Sequence, residues 1–247
     1  MGDKKEVLEK IHHKLIVSCQ ARKGWAMYGP EIMAAFASAA MEGGAGGIRA
    51  NGVKDITAIR KKVKLPMIGI QKIWTEGCEV YITPTYESAV PILETGVEII
   101  ALDGTGRKRP NGETYDSIVY QIREHYPDVL IMGEISTLKE AEALQKSGTD
   151  IISTTLSGYT RETADVTVFK TELVREITSA TDLPVIAEGR IHTVEELTAA
   201  YAAGAHAAVV GTAITRPEII TARYVRGLET YFETANQVGG QAVLGRQ

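Results

Sequence analysis

Lys72 closes an apolar run, MIGIQ at 67–71. An amine at the end of a buried strand loses its proton more readily, through desolvation or a neighbouring cation. Once neutral it can remove a proton as a general base or attack a carbonyl to form a Schiff base. A lysine that lays its stem on the surface and keeps its head in water fits the same position. Arg49 ends another apolar run and is either the neighbouring cation or a grip on a substrate oxygen. Glu188 stands between Ala187 and Gly189 in an otherwise apolar segment, where a carboxylate needs a partner. A structural pair with Arg190 or Lys72 would satisfy it, and so would a role as an acid or orienting group beside a base.

Glu188 belongs to a longer pattern. Residues 184–217 read as two apolar runs, 185–187 and 207–210, each followed by glycine, with helical spacing between them (Val194, Leu197, Ala200, Tyr201). Thr193 before Glu195 and Glu196 reads as an N-cap, and Gly204 as the residue after the helix. Glycine at a strand end lets backbone N–H groups approach an anion. Gly189-Arg190 and Gly211-Thr212 occupy matched strand ends, with Arg216 close by, and a short helical segment at 213–216 would aim its N-terminus at a phosphate. Taken singly, either glycine is an ordinary strand terminator. Together with the two arginines they favour a phosphate site.

These residues need elements to hold them. Apolar runs recur at 15–17, 47–48, 67–70, 97–102, 129–132, 151–152, 185–187 and 207–210, with helical patterns between them, among them 31–41, 55–63, 86–94, 115–125, 138–146 and 169–180. Eight strands alternating with helices over 247 residues predict one closed parallel (β/α)8 TIM barrel, a single domain. An open doubly wound sheet is the alternative, weakened because no GxGxxG opens a helix and no GxxxxGK[ST] occurs. Barrel enzymes work at the C-terminal strand ends. That rule collects Gln20, Arg49, Lys72, Asp103, Glu134, Thr154 and Thr155 leading into Ser157, Glu188 and Gly211 at one mouth. The basic, glycine-rich stretch 104–112 after Asp103 is either a lid or a solvated loop. The five histidines show no spaced cluster and receive no role. The segment from Ala235 is expected to be loosely ordered.

Composition narrows the partners. A net charge of −4 gives no reason to expect nucleic acid. Two cysteines, Cys19 and Cys78, fit a reducing cytoplasm, and no ligand spacing points to a protein metal site. Neither a signal peptide nor a run of membrane-spanning length is present, so no membrane partner is expected.

VSCQA at 17–21, GGIRANGV at 46–53, ITPT at 82–85, IALDGT with KRPNG across 100–112, STTLSGYT at 153–160, AEGRI at 187–191 and AVVGTAITRP at 208–217 together resemble the bacterial N-acylglucosamine-6-phosphate 2-epimerase family. The resemblance runs from about Leu15 to Arg226. It implies a TIM barrel without metal or organic cofactor that converts N-acetylmannosamine 6-phosphate to N-acetylglucosamine 6-phosphate in sialic acid breakdown. It matches the family's catalytic lysine to Lys72 and its partner glutamate to Glu188. Gln20, Arg49, Glu134 and Ser157 fall at substrate-binding places, and Gly189, Arg190, Gly211, Thr212 and Arg216 at phosphate-binding ones. Three positions depart: Glu134 stands for the usual aspartate, Thr212 for a frequent glycine, and Ile73-Trp74 follow the lysine where arginine is common. On this reading residues 1–14 are an N-terminal extension, 15–232 the epimerase barrel and 233–247 a tail. The partners are the amino sugar phosphate and a second copy in a homodimer.

Overall fold

The computed structural model describes residues 3–244, with side chains placed through residue 234. Eight parallel strands close into a barrel: β1 (Leu15–Cys19), β2 (Gly47–Asn51), β3 (Met67–Ile70), β4 (Ile99–Asp103), β5 (Leu130–Glu134), β6 (Ile151–Ser153), β7 (Val185–Glu188) and β8 (Ala207–Val210). The ring closes through β1 and β8, with Val17 opposite Val210. Helices α2 (Pro30–Glu42), α3 (Val53–Lys62), α4 (Tyr86–Leu93), α5 (Tyr115–His125), α6 (Leu138–Leu144), α7 (Thr171–Ala180) and α8 (Val194–Ala202) separate the strands. Helix α1 (Lys4–Ile11) precedes the barrel, and α9 (Thr212–Thr215) and α10 (Pro217–Leu244) follow β8.

The strands are apolar on both faces because both are covered, and side chains alternate between them. Val17, Ile48, Ala50, Ile100, Leu102, Ile131, Ala187 and Val210 pack outward under the helices. Ile16, Ile68, Ile70, Ile99, Ala101, Leu130, Met132, Ile151, Ile186 and Val209 fill the interior. The inward register continues to the C-terminal strand ends, where it turns polar: Ser18, Arg49, Asp103, Glu134, Ser153 and Glu188 are all buried there. An apolar plug thus carries a polar floor. The lower end is shut by α1, whose Val7 and Ile11 join the interior cluster. Helix α4 lies directly on β3, since a Cβ at Gly69 would come within 2.6 Å of Ile92 Cγ2.

The connections after the strands begin at the polar end, and four of the helices there start with threonine caps at Thr85, Thr114, Thr137 and Thr193. At the predicted cap, Thr193 Oγ1 accepts from Glu196 N at 3.2 Å, and the Glu196 carboxylate accepts from the N–H groups of His192 and Thr193. Three expectations need correction. Strand β4 begins at Ile99, because Val97 packs outward beside Gly69 before the strand starts. Lys72 lies beyond β3, in a hairpin closed by Ile73 N–H to Tyr81 O (2.9 Å) and Thr83 N–H to Gln71 O (2.7 Å). Helix α10 continues through Gly239 and Gly240 to Leu244, so the backbone from Ala235 to Leu244 is helical. Residues 245–247 lie outside the described residues. No helix among the described residues is long and apolar enough to cross a membrane.

Candidate active site

Inward-facing ends of neighbouring strands bring Arg49, Glu134 and Glu188 together. The Arg49 guanidinium, 2% exposed, pairs through Nη2 with Glu134 Oε1 and through Nη1 with Glu188 Oε1 at 3.2 Å. The partner of Glu188 is therefore Arg49, rather than Arg190 or Lys72. Two buried carboxylates share one cation, and Arg49 Nε, Glu134 Oε2 and Glu188 Oε2 have no partner among the described residues. Burial, with Glu188 adding to the rise and Arg49 opposing it, leaves the Glu134 carboxyl raised to about 7. Burial raises Glu188 as well, against the pull of Arg49 and Lys72. The end of β7 is fixed by Thr154, whose Oγ1 donates to Glu188 O and accepts from Glu188 N.

Lys72 stands over this cluster. Its backbone N–H donates to Asn51 Oδ1 at 2.8 Å, which sets the exit from β3. Its Nζ makes no hydrogen bond or ion pair among the described residues. Burial first, and then Arg49, lower its pKa against the opposing pull of Glu134 and Glu188, to about 8 in all. The amine is thus close to losing its proton near neutral pH, as a general base requires.

The glycine turns build the other end. Gly189 and Arg190 have successive φ values of 101° and 60°, a left-handed pair that turns backbone N–H groups to one side. Among the described residues, the N–H groups of Gly189, Arg190, Gly211 and Thr212 donate to no protein acceptor. A Cβ at Gly211 would sit 3.2 Å from Ser18 Cβ, so β8 leaves the barrel close against β1. Arg190 and Arg216 flank the turns. Arg190 Nη2 donates to Gly158 O at 2.8 Å and its guanidinium lies 4.6 Å from the Tyr159 ring centre. Arg216 lies 3.7 Å over Trp25 and pairs with Glu218.

One cavity of about 470 Å³ joins the two ends, lined by Gln20, Arg49, Lys72, Glu188, Gly189, Arg190, Gly211, Thr212 and Arg216. Gln20 Nε2 donates to Ser18 Oγ at 2.7 Å, and its buried Oε1 has no partner. Two expected site residues do not reach this cavity. Glu134 is fully buried beneath Arg49 and reaches the cavity only through it. Ser157 lines a separate small hollow with Thr154 and Phe169, because its N–H closes a tight turn onto Thr154 O.

Asn51, Trp25, Tyr81, Tyr159 and His192 also line the cavity and were given no role from sequence, and Trp74 joins them, noted there only for following the lysine. Asn51 follows Arg49 by the alternation that points both inward, which was a usable signal. The aromatic residues sit on loops with no period to mark them. Stretch 104–112 is no lid over this cavity. Asp103 holds Thr105 and Arg107, and Arg109, 3% exposed, is folded back onto Asp103 O and Pro84 O. Three of the five histidines do cluster, but at the base: His12 stacks on His13 at 3.7 Å and lies 4.7 Å from His206. Chain closure brings residues 12 and 206 together there, which spacing does not reveal.

The family described as "Putative N-acetylmannosamine-6-phosphate epimerase" matches residues 33–230. A "Putative N-acetylmannosamine-6-phosphate 2-epimerase" of Enterobacter sp. (strain 638) is 47% identical over 229 residues, 92% of this chain and 97% of that protein. One from Caldanaerobacter subterraneus subsp. tengcongensis is 46% identical, over 89% of this chain and 93% of its own. A solved structure of the N-acetylmannosamine-6-phosphate 2-epimerase from Clostridium perfringens superposes with a TM-score of 0.86 at 46% identity, covering 89% of this chain and 95% of that one. The family match spans most of the chain and these relatives cover about nine tenths of it, so the chain belongs to the N-acetylmannosamine-6-phosphate epimerase family.

Proposed function

We propose that the cavity epimerises N-acetylmannosamine 6-phosphate to N-acetylglucosamine 6-phosphate at carbon 2, with Lys72 as the base and Glu188 as its proton partner. The observation that carries this reading is one cavity with an amine close to neutrality at one end and four free backbone N–H groups at the other. In the open-chain sugar, carbon 2 adjoins the carbon 1 aldehyde, so its proton is acidified and its anion is an enolate. Neutral Lys72 takes that proton. A solvent-exchangeable proton delivered to the opposite face gives the epimer, and Lys72, left as the ammonium, returns its own proton to solvent.

Charge balance explains the poise of the site. Arg49, Lys72, Glu134 and Glu188 sum to zero when all are ionised, but burial disfavours that state. A proton held by Glu188 rather than Lys72 keeps the sum and removes one buried ion pair. Glu188 then donates toward the ring oxygen during ring opening, and Arg49 meets the enolate oxygen. Glu134 acts through Arg49 by fixing its guanidinium. Gly189, Arg190, Gly211 and Thr212 hold the phosphate by backbone N–H groups, with Arg190 and Arg216 beside them, and this distant grip fixes carbon 2 against Lys72. Gln20 offers Oε1 to a sugar hydroxyl. Ser157 orders the turn behind Gly189.

The test is turnover of N-acetylmannosamine 6-phosphate in deuterium oxide, followed by proton NMR across pH. Product should carry deuterium at carbon 2. Because the base must be neutral while Glu188 still holds its proton, kcat/KM should climb as pH rises toward about 8 and fall again at higher pH as Glu188 ionises. Product with only protium at carbon 2 at every pH would sink an exchangeable base.

We read residues 15–232 as the catalytic unit, 1–14 as the extension that closes its base and 233–247 as lying beyond it. A cytoplasmic setting agrees with two free cysteines. We also propose a homodimer. Tyr224, Val225, Leu228, Tyr231 and Phe232 leave a stripe of large apolar side chains exposed along α10, at the spacing of one helix face. Sedimentation should find two copies, and Leu228→Asp with Tyr231→Asp should give monomers.

A further inference from the structure

Both tryptophans of the chain, Trp25 and Trp74, stand at the cavity mouth. Trp74 stacks on Tyr81, with ring centres 5.4 Å apart and planes 8° from parallel. The Arg22 guanidinium lies 5.0 Å from the Trp74 ring centre and 5.5 Å from that of Trp25. Trp25 in turn carries Arg216 at 3.7 Å. The result is an alternating row of ring and cation: Tyr81, Trp74, Arg22, Trp25, Arg216. Its first two members belong to the hairpin that carries Lys72. Its middle members lie on the loop between β1 and α2, after Gln20. Its last member ends the turn of Gly211 and Thr212.

Arg22 is the joint of this row. Its guanidinium makes no ion pair or hydrogen bond among the described residues, so the two indole faces are its bound partners. Its charge is also felt at Lys72, where it favours the neutral amine. A guanidinium suits the place because it is flat and stacks on two rings at once, which an ammonium cannot do.

We propose that Arg22 is a positioning residue of the reaction, a clasp between Trp25 and Trp74 through which a phosphate at the Gly211 turn sets the hairpin that presents Lys72. The proposal rests on the functional reading above. A phosphate held there lies beside Arg216, whose contact with Trp25 shifts as the guanidinium turns to the anion. Trp25 and Arg22 pass that shift to Trp74, two residues from the base. Loss of two cation–π contacts corresponds to a roughly five- to thirty-fold change in the step that depends on them.

The row supplies its own probe, since intrinsic indole emission comes from the clasp alone. Trp25→Phe leaves Trp74 as the single reporter. In that variant, N-acetylglucosamine 6-phosphate should change Trp74 emission, and inorganic phosphate should do so more weakly. Adding Arg22→Ala should abolish the change even at ligand concentrations that saturate the site, while Arg22→Lys should restore part of it. In turnover, Arg22→Ala should lower kcat about five- to thirty-fold and move the rise of the pH profile to higher pH, with thermal stability kept. An unchanged Trp74 response in Arg22→Ala would overturn the clasp. So would a fall in activity that tracks a fall in Tm with the pH profile unmoved. If the wild type turns over no amino sugar phosphate, the functional reading fails, and the clasp is decided by Trp74 emission with inorganic phosphate.

Discussion

Replacing Lys72 by alanine lowers kcat by about 10²–10⁴-fold, the range a positioned general base supplies, and abolishes deuterium uptake at carbon 2. Substrate affinity changes much less, because the phosphate turns and Gln20 are untouched. The fold tolerates the change. Lys72 sits at the rim, its Nζ has no protein partner among the described residues, and burial disfavours its charge. The sign of the stability effect follows from linkage. A lysine with a folded pKa of about 8, below the ordinary value near 10.4, binds fewer protons folded than unfolded between those limits, so its cost is complete below about 8 and fades as pH rises. Lys72→Ala should therefore be at least as stable as the wild type at neutral pH in urea unfolding. A variant that is inactive and also poorly folded would speak for a structural lysine instead.

Replacing Arg49 by methionine strikes the fold as hard as the chemistry. Glu134 and Glu188 then face each other in a buried site without their cation. Removing one member of a buried ion pair costs about 3–5 kcal/mol, because the remaining charge is left uncompensated. The deficit depends on pH. Without Arg49 both carboxyls have folded pKa values far above the unfolded one, so the folded state is favoured where they are protonated and loses stability as pH rises through the folded values. Urea unfolding should show a small deficit near pH 5 and the full one near pH 8. Adding Glu134→Gln should recover much of the loss at pH 8 without recovering activity, because the donor to the enolate oxygen is still missing. A deficit equal at both pH values would show that packing, and not the orphaned carboxylates, is the cause.

The barrel was readable because its strands are short, apolar on both faces and separated by helices with legible starts such as Thr193. The rule that barrel sites lie at C-terminal strand ends then placed Arg49, Glu134 and Glu188 at one mouth before any contact was known. It did not say that Arg49 would take Glu188, since partner choice depends on strands distant in sequence. The hairpin carrying Lys72 was missed because its pairing joins residues 71–73 to 81–83 across an irregular loop. Trp25 went unmarked and Trp74 was marked only for following the lysine, for a related reason: each lies on a loop, and only the closed ring makes them neighbours of Arg22. The histidine cluster at the base shows the same limit, for residues 12 and 206 meet only when β8 reaches β1.

The packed interior beneath the polar floor leaves the cavity opening at the C-terminal strand ends. The sugar that enters and its mirror at carbon 2 must use the same passage and compete for the same seat. They share the phosphate and every other carbon centre, so neither epimer has much advantage in residence. The ratio of forward to reverse kcat/KM equals the solution equilibrium constant between the two sugars, and progress slows as the epimer accumulates and occupies the same seat. Net flux through such a vestibule is set by whatever downstream step removes the product.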